Sequence, residues 1–185
     1  MSSAAAFFAR WRVRLGYALA VFVLFFARPT PEYVAIGAAI GLVGLWLRAY
    51  AAGYLHKQEV LTVTGPYAYT RNPLYLGSAI LALGAGVATK SWISAAILVL
   101  YFAVVYSVVM RREEGELLGH HGASFQAYAA AVPLFLPRFS AATIPGSSSG
   151  QFSFAQYKKN HEYQAAFGYL LLLAGLLTIW RLRFR

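Results

Sequence analysis

Apolar runs broken by short polar or proline-marked stretches set the pattern of this chain. Residues 13–27 form the first run, and Arg28-Pro29-Thr30-Pro31 stops it. The second covers 33–50, with Gly37, Gly41 and Gly44 at the spacing that lets helices approach closely in lipid. Asn72-Pro73 then predicts a helix start, asparagine being favoured at the N-cap and proline at the first helical position. That helix covers 73–88, Thr89-Lys90-Ser91 turns the chain, and 92–110 follows without a charged residue. A bilayer core of about 30 Å needs roughly 20 residues of helix. The first run is short by that measure, and Phe7 and Phe8 extend it while Arg10, Arg12 and Arg14 snorkel at its lip. Those arginines resemble the start of a cleaved signal, but the run ends without a small-residue cut site, so a retained helix is expected.

The polar stretches are 56–77 and 111–137. The second is amphipathic and ends in Val132-Pro133-Leu134-Phe135-Leu136-Pro137, which its prolines hold extended. Residues 140–164 read as a small-residue linker and a basic segment, and 165–185 as an apolar helix with a basic tail. The expected fold is an all-α, polytopic transmembrane helical bundle. It has four core spans within 1–139 and a fifth C-terminal helix, either spanning or interfacial. Lysines and arginines near the span ends put the polar stretches inside. A crossing by the fifth helix breaks that rule, because it carries Arg181, Arg183 and Arg185 outward.

Composition agrees. The chain is 59% hydrophobic and 12% charged, with mean hydropathy +0.55, against about 25% charged residues in soluble domains. A net charge of +10 on a soluble protein points to nucleic acid; here it fits basic loops against an anionic leaflet. Cysteine is absent, which excludes disulfides, thiolate metal sites and cysteine nucleophiles. His120-His121 does not read as a metal pair, since adjacent residues do not share a helix face.

Arg71 and Glu113 lie far apart in sequence, yet the 73–110 hairpin returns the chain to the same membrane face. Arg71, Arg112, Glu113 and Glu114 are then a charged cluster at the mouth of an apolar bundle, a functional-site pattern. The plainer reading is a set of interfacial ion pairs that stop helices, with Tyr67, Tyr69 and Tyr75 as an aromatic belt. The helix start at Asn72-Pro73 offers free N–H groups to an anion. Within the core spans ionisable residues are almost absent away from the ends, which argues against a transporter.

The ordered motif Gly65-Pro66-Tyr67-x-x-x-Arg71-Asn72-Pro73-x-Tyr75-x-Gly77, then Glu113-Glu114, then Gly122, Tyr128 and Val132-Pro133, resembles the isoprenylcysteine carboxyl methyltransferase family. The related phospholipid N-methyltransferases share its core. The resemblance covers about 55–137. It implies an integral membrane, S-adenosylmethionine-dependent methyltransferase that releases S-adenosylhomocysteine. The implied pocket opens to the cytoplasm, in a bacterial inner membrane, and a lipophilic or lipid acceptor enters from the bilayer. No nucleic acid or metal is implied. Carried over by position, the cofactor contacts fall on Glu59, Val60, Leu61, Thr62, Tyr67, Asn72, Pro73, Leu74, Tyr75 and Glu113, and the catalytic group on Arg71, Glu113 and Glu114. Three positions depart from the pattern: Asn72 replaces the usual histidine, Glu59 an upstream histidine, and Val109 an arginine of some carboxyl methyltransferases. O-methylation is the first expectation. N-methylation of a phospholipid or other lipid amine is the alternative, and a non-enzymatic membrane protein or transporter the second.

Overall fold

A computed structural model describes residues 19–56, 60–144 and 150–184. The first part of the expected 13–27 span, Glu59 and part of the 140–164 linker lie outside the described residues. Every regular element among the described residues is helical, as expected for a helical membrane bundle. Helix α1 covers 19–26, α2 Pro31–Tyr54, α3 Pro73–Ala88 and α4 Trp92–Tyr101. A π-turn at Phe102–Tyr106 joins α4 to α5, Ser107–Ala131; α6 is Phe154–Lys159 and α7 Tyr163–Phe184. Among the described residues three helical stretches are long and apolar enough to cross a membrane: Pro31–Tyr54, Trp92–Ala131 and Tyr163–Arg183. The 16 residues of α3 make a shorter apolar helix of about 24 Å at 1.5 Å per residue.

Glycines bring α2 and α3 together as an antiparallel pair. A methyl group on Gly44 would lie 2.7 Å from the Gly77 carbonyl oxygen, and one on Gly84 would lie 2.7 Å from that of Gly37. Without a hydrophobic drive between helices in lipid, such backbone approach is what makes a tight pair. At one end the turns interlock. Arg28 N–H donates to the Thr89 carbonyl at 2.8 Å, and the buried Ser94 hydroxyl donates to the Val23 carbonyl at 3.0 Å. Lys90, at φ 49°, closes the expected Thr89-Lys90-Ser91 turn.

Helix α7 lies along this pair. Tyr169 Oη donates to the Gly37 carbonyl at 2.8 Å, and Leu176 is buried against Ala27, Val34 and Ala88. Before it, Ser153 N–H, Gln156 Nε2 and Asn160 Nδ2 donate to the carbonyls of Gly53, Leu55 and Ala52 at the C-terminus of α2. These close carbonyls that a helix end leaves unpaired. α7 therefore runs antiparallel to α2 through the depth of the bundle instead of lying across its end. Its basic end sits with Lys90, against the charge bias, because packing on the glycine face fixes its course.

The helix of the 92–110 run does not stop where the charged residues begin. The helical path continues from α4 to Ala131, with its sharp departure at Gly122 (φ 49°, ψ −122°), a conformation open to glycine. Arg112 and Glu116, paired at 2.8 Å one turn apart, support the continuation.

Because Gly84 faces backbone while Gly175 has nothing within 4 Å, substitution should separate them. Gly84→Leu is expected to destabilise the detergent-solubilised protein by about 2 kcal/mol through overpacking. Gly175→Ala should leave the thermal midpoint within error.

Candidate active site

At the end of the bundle where α2 finishes and α3 begins, a cavity of about 520 Å³ opens among α2, α3, α5 and the segment before α7. Every described site residue expected from the sequence lines it: Val60, Leu61, Thr62, Tyr67, Arg71, Asn72, Pro73, Leu74, Tyr75, Glu113 and Glu114. Arg112 does not; it turns away to Glu116.

Its roof is the loop leading into α3. Gly65, at φ 60°, packs against the Tyr54 ring and starts a single 3-10 turn, Gly65–Ala68. The extended segment after α5 straps this loop in place. Arg71 N–H donates to the Pro133 carbonyl at 2.9 Å, Arg138 N–H to that of Tyr69 at 3.0 Å, and Ala142 N–H to that of Ala68 at 2.9 Å. Thr70 Oγ1 donates to the Phe135 carbonyl at 2.8 Å, and Tyr128 Oη to the Tyr67 carbonyl at 2.8 Å. Tyr128 is itself buried with Val63, Phe125 and Val132. The tyrosine and Val-Pro of the distal motif thus serve to hold the proximal one.

Asn72 corrects an expectation. It stands at the N-cap of α3 but makes no side-chain cap; its Nδ2 donates instead to the Leu134 carbonyl at 2.9 Å. The amide is committed to the strap because that carbonyl, in an extended segment, has no helical partner.

The floor is charged. Arg71 Nη1 meets Glu114 Oε1 at 2.5 Å, with both side chains largely buried, and Tyr75 Oη donates to Glu113 Oε1 at 2.6 Å. Three buried polar atoms have no hydrogen-bond partner among the described residues: Tyr67 Oη, Arg71 Nε and Arg48 Nε. Buried polar groups are nearly always bonded, so their presence in one cavity marks where polar ligands belong. Burial first, then the nearby Tyr128, Glu162 and Glu113, hold the Tyr67 phenol well above its ordinary pKa, so it stays a neutral hydroxyl.

Sequence reasoning missed Arg48, Ser78, Tyr106 and Glu162 as lining residues. Arg48 read as the end of an apolar run and Glu162 as part of a basic segment. The lone acid in that segment was the available signal. Val109, where some carboxyl methyltransferases have arginine, is buried and off the cavity wall.

Comparison with known proteins places the chain in a family. A family model described as phospholipid methyltransferase matches residues 11–123. The nickel-cobalt-cadmium resistance protein NccN of Alcaligenes xylosoxydans xylosoxydans is 40% identical over 106 residues, 57% of this chain and 48% of that protein. The cobalt-zinc-cadmium resistance protein CzcN of Cupriavidus metallidurans is 31% identical over 159 residues, 81% of this chain and 71% of that protein. A protein-S-isoprenylcysteine O-methyltransferase of Schizosaccharomyces pombe is 32% identical over 82 residues, 44% of this chain and 35% of that protein. The chain thus spans about half the length of NccN, most of CzcN and about a third of the yeast enzyme. No solved structure matches it.

The strap makes a separable prediction. Tyr128→Phe and Asn72→Ala should each cost about 1 kcal/mol of stability by removing one buried hydrogen bond. Amide hydrogen exchange of the 67–72 loop should rise in both, while that of α7 is unchanged.

Proposed function

Because the chain belongs to the phospholipid methyltransferase family, we propose that this membrane protein transfers a methyl group from S-adenosylmethionine to a lipophilic acceptor held in the cavity. The observation that carries the reading is the meeting of Tyr67, Arg71, Glu113 and Glu114 in one cavity, with Tyr67 Oη and Arg71 Nε buried and unpartnered among the described residues.

The residues fit such a cofactor. It has a flat base, a ribose, a carboxylate and two cationic groups. The cavity offers a buried phenol, a guanidinium N–H and two carboxylates in a volume typical of small-molecule sites. When bound, the cofactor supplies an already activated methyl group on a sulfonium. The chain's task is then to align and desolvate the partners. Tyr75 fixes Glu113 by hydrogen bond, so that its free oxygen faces a cationic group. Glu114 holds Arg71, whose Nε–H is left to a carboxylate. Tyr67 offers its hydroxyl to the base or ribose, and the strapped roof limits water.

The choice of acceptor turns on a proton. An amine must lose one, and Glu114 is the carboxylate assigned to take it. A carboxylate arrives without one. Arg71 already occupies Glu114 Oε1, which favours an acceptor that needs no base, a carboxylate oxygen. The name of the yeast relative supports that class. N-methylation of a lipid amine is the competing outcome. Metal resistance is said of the two bacterial relatives by name, and among the described residues no group of three or more His, Cys, Asp or Glu is placed to hold a metal ion. Arg48, Arg71, Arg111, Arg112, Arg138, Lys158 and Lys159 lie at the cavity end, against Arg28, Lys90, Arg181 and Arg183 at the other. This bias supports a cavity facing the cytoplasm, in a bacterial inner membrane.

Calorimetry of the detergent-purified chain with S-adenosylhomocysteine tests the reading. Binding is expected, with Tyr67→Phe and Glu113→Gln each weaker by about tenfold, the loss of one buried hydrogen bond to a charged or fixed partner. No binding at millimolar ligand would sink the proposal. Labelled-methyl transfer to prenylated thiol acids and not to lipid amines would support O-methylation, and the reverse preference N-methylation.

A further inference from the structure

Arg48 and Glu162 form a second charged wall of the same cavity. The Arg48 stem crosses the α2–α3 seam over Gly77, where an added methyl would lie 2.6 Å from its Cγ. Nη1 donates to Ser78 Oγ and, at 3.3 Å, to the Leu74 carbonyl; Nη2 meets Glu162 Oε2 at 2.7 Å. The guanidinium is therefore gripped from two sides, and its buried Nε–H has no partner among the described residues. Glu162 is brought there by the segment that caps α2, through Gln156 and Asn160. That segment lies beyond residues 11–123, which match the family.

We propose that Arg48 is a further binding residue of this cavity, offering its Nε–H to an anionic oxygen on the head of the lipophilic methyl acceptor, and that Glu162 is the positioning residue that holds it. The head is a carboxylate or a phosphate, which share this chemistry. The word acceptor rests on the methyltransferase reading; the oxyanion site does not. A guanidinium N–H has a hydrogen and no lone pair, so it calls for an oxygen acceptor. Among the described residues the cavity leaves two such buried donors, Arg71 Nε and Arg48 Nε. In the reading above the cofactor's carboxylate takes Arg71 Nε; Arg48 Nε is then open to a second anionic group. Arg71 sits in the loop before α3, on the motif side. Arg48 reaches Ser78, one turn deeper into the apolar bundle than Leu74, where the head of a molecule with its tail along the helices would arrive. Glu162 offsets the buried charge, which would otherwise be costly to leave unpaired.

The test uses the full chain in dodecyl maltoside, an uncharged detergent, at one micelle concentration. The probes are dodecanoate, dodecyl phosphate and dodecanol, which share a tail and differ in the head. Titration calorimetry should show the anionic probes binding about tenfold tighter than dodecanol, the worth of one charge-assisted hydrogen bond. Arg48→Lys keeps the charge but loses the guanidinium fork, and should erase that preference while S-adenosylhomocysteine binding stays within about twofold. Glu162→Ala should weaken the anionic probes although it raises the net positive charge. Glu162→Gln, whose amide oxygen still accepts from Nη2, should restore them. The tighter of the two anionic probes identifies the head; equal binding assigns a general oxyanion site. Equal binding of all three probes overturns the proposal. So does an Arg48→Lys chain that retains the preference, or a Glu162→Ala chain that binds anionic probes as tightly as the parent. A parent chain that fails to bind S-adenosylhomocysteine counts against the methyltransferase reading alone, because the amphiphile titrations do not depend on it.

Discussion

Backbone-to-backbone contact between α2 and α3 sets where Arg48, Ser78 and the loop carrying Tyr67 and Arg71 stand in the cavity. Gly37, Gly44, Gly77 and Gly84 meet there with no room for a side chain, so the two helices cannot slide or separate without opening a void. Arg48 and Ser78 face each other across that seam, and the loop that carries Tyr67 and Arg71 is delivered to the start of α3. Tyr169 uses the same glycine face to bring α7 alongside. The far end supplies rigidity through the Arg28–Thr89 and Ser94–Val23 contacts, while the cavity end supplies chemistry.

On that frame the cavity is built by pairing each charge once and leaving one direction open. Arg71 is held by Glu114, Glu113 by Tyr75, and Arg48 by Glu162. Isolated charges at such low exposure would be expensive, and fully satisfied ones would have nothing to offer a ligand. The arrangement sits between those limits. Its polar groups are oriented before anything binds, which suits a reaction in which the protein aligns partners more than it supplies reactive groups.

Much of this was legible in the sequence. Proline at the first turn and a three-residue polar break give the α3–α4 hairpin, and a hairpin of that length returns Glu113 to the level of Arg71. The 92–110 span was ended at Arg111, where the chain changes from apolar to polar, and 111–137 was read as a polar stretch. That change is one of surroundings along one helix, and Gly122 supplies the real bend. Asn72 was read as a cap from its local position, whereas a strap more than sixty residues later in the chain competes for its amide. The Arg48–Glu162 pair has a separation of 114 residues and comes from a segment with no periodicity, so no local pattern points to it. Local rules found what local geometry determines; long-range hydrogen bonding decided the rest.

A structure of the full chain with S-adenosylhomocysteine bound tests the central claim most directly. The account predicts the ligand inside this cavity, with Arg71 Nε and Tyr67 Oη engaged by it and Glu113 still held by Tyr75. A ligand seated elsewhere on the bundle, or one in the cavity that leaves both Arg71 Nε and Tyr67 Oη without contact, would contradict it.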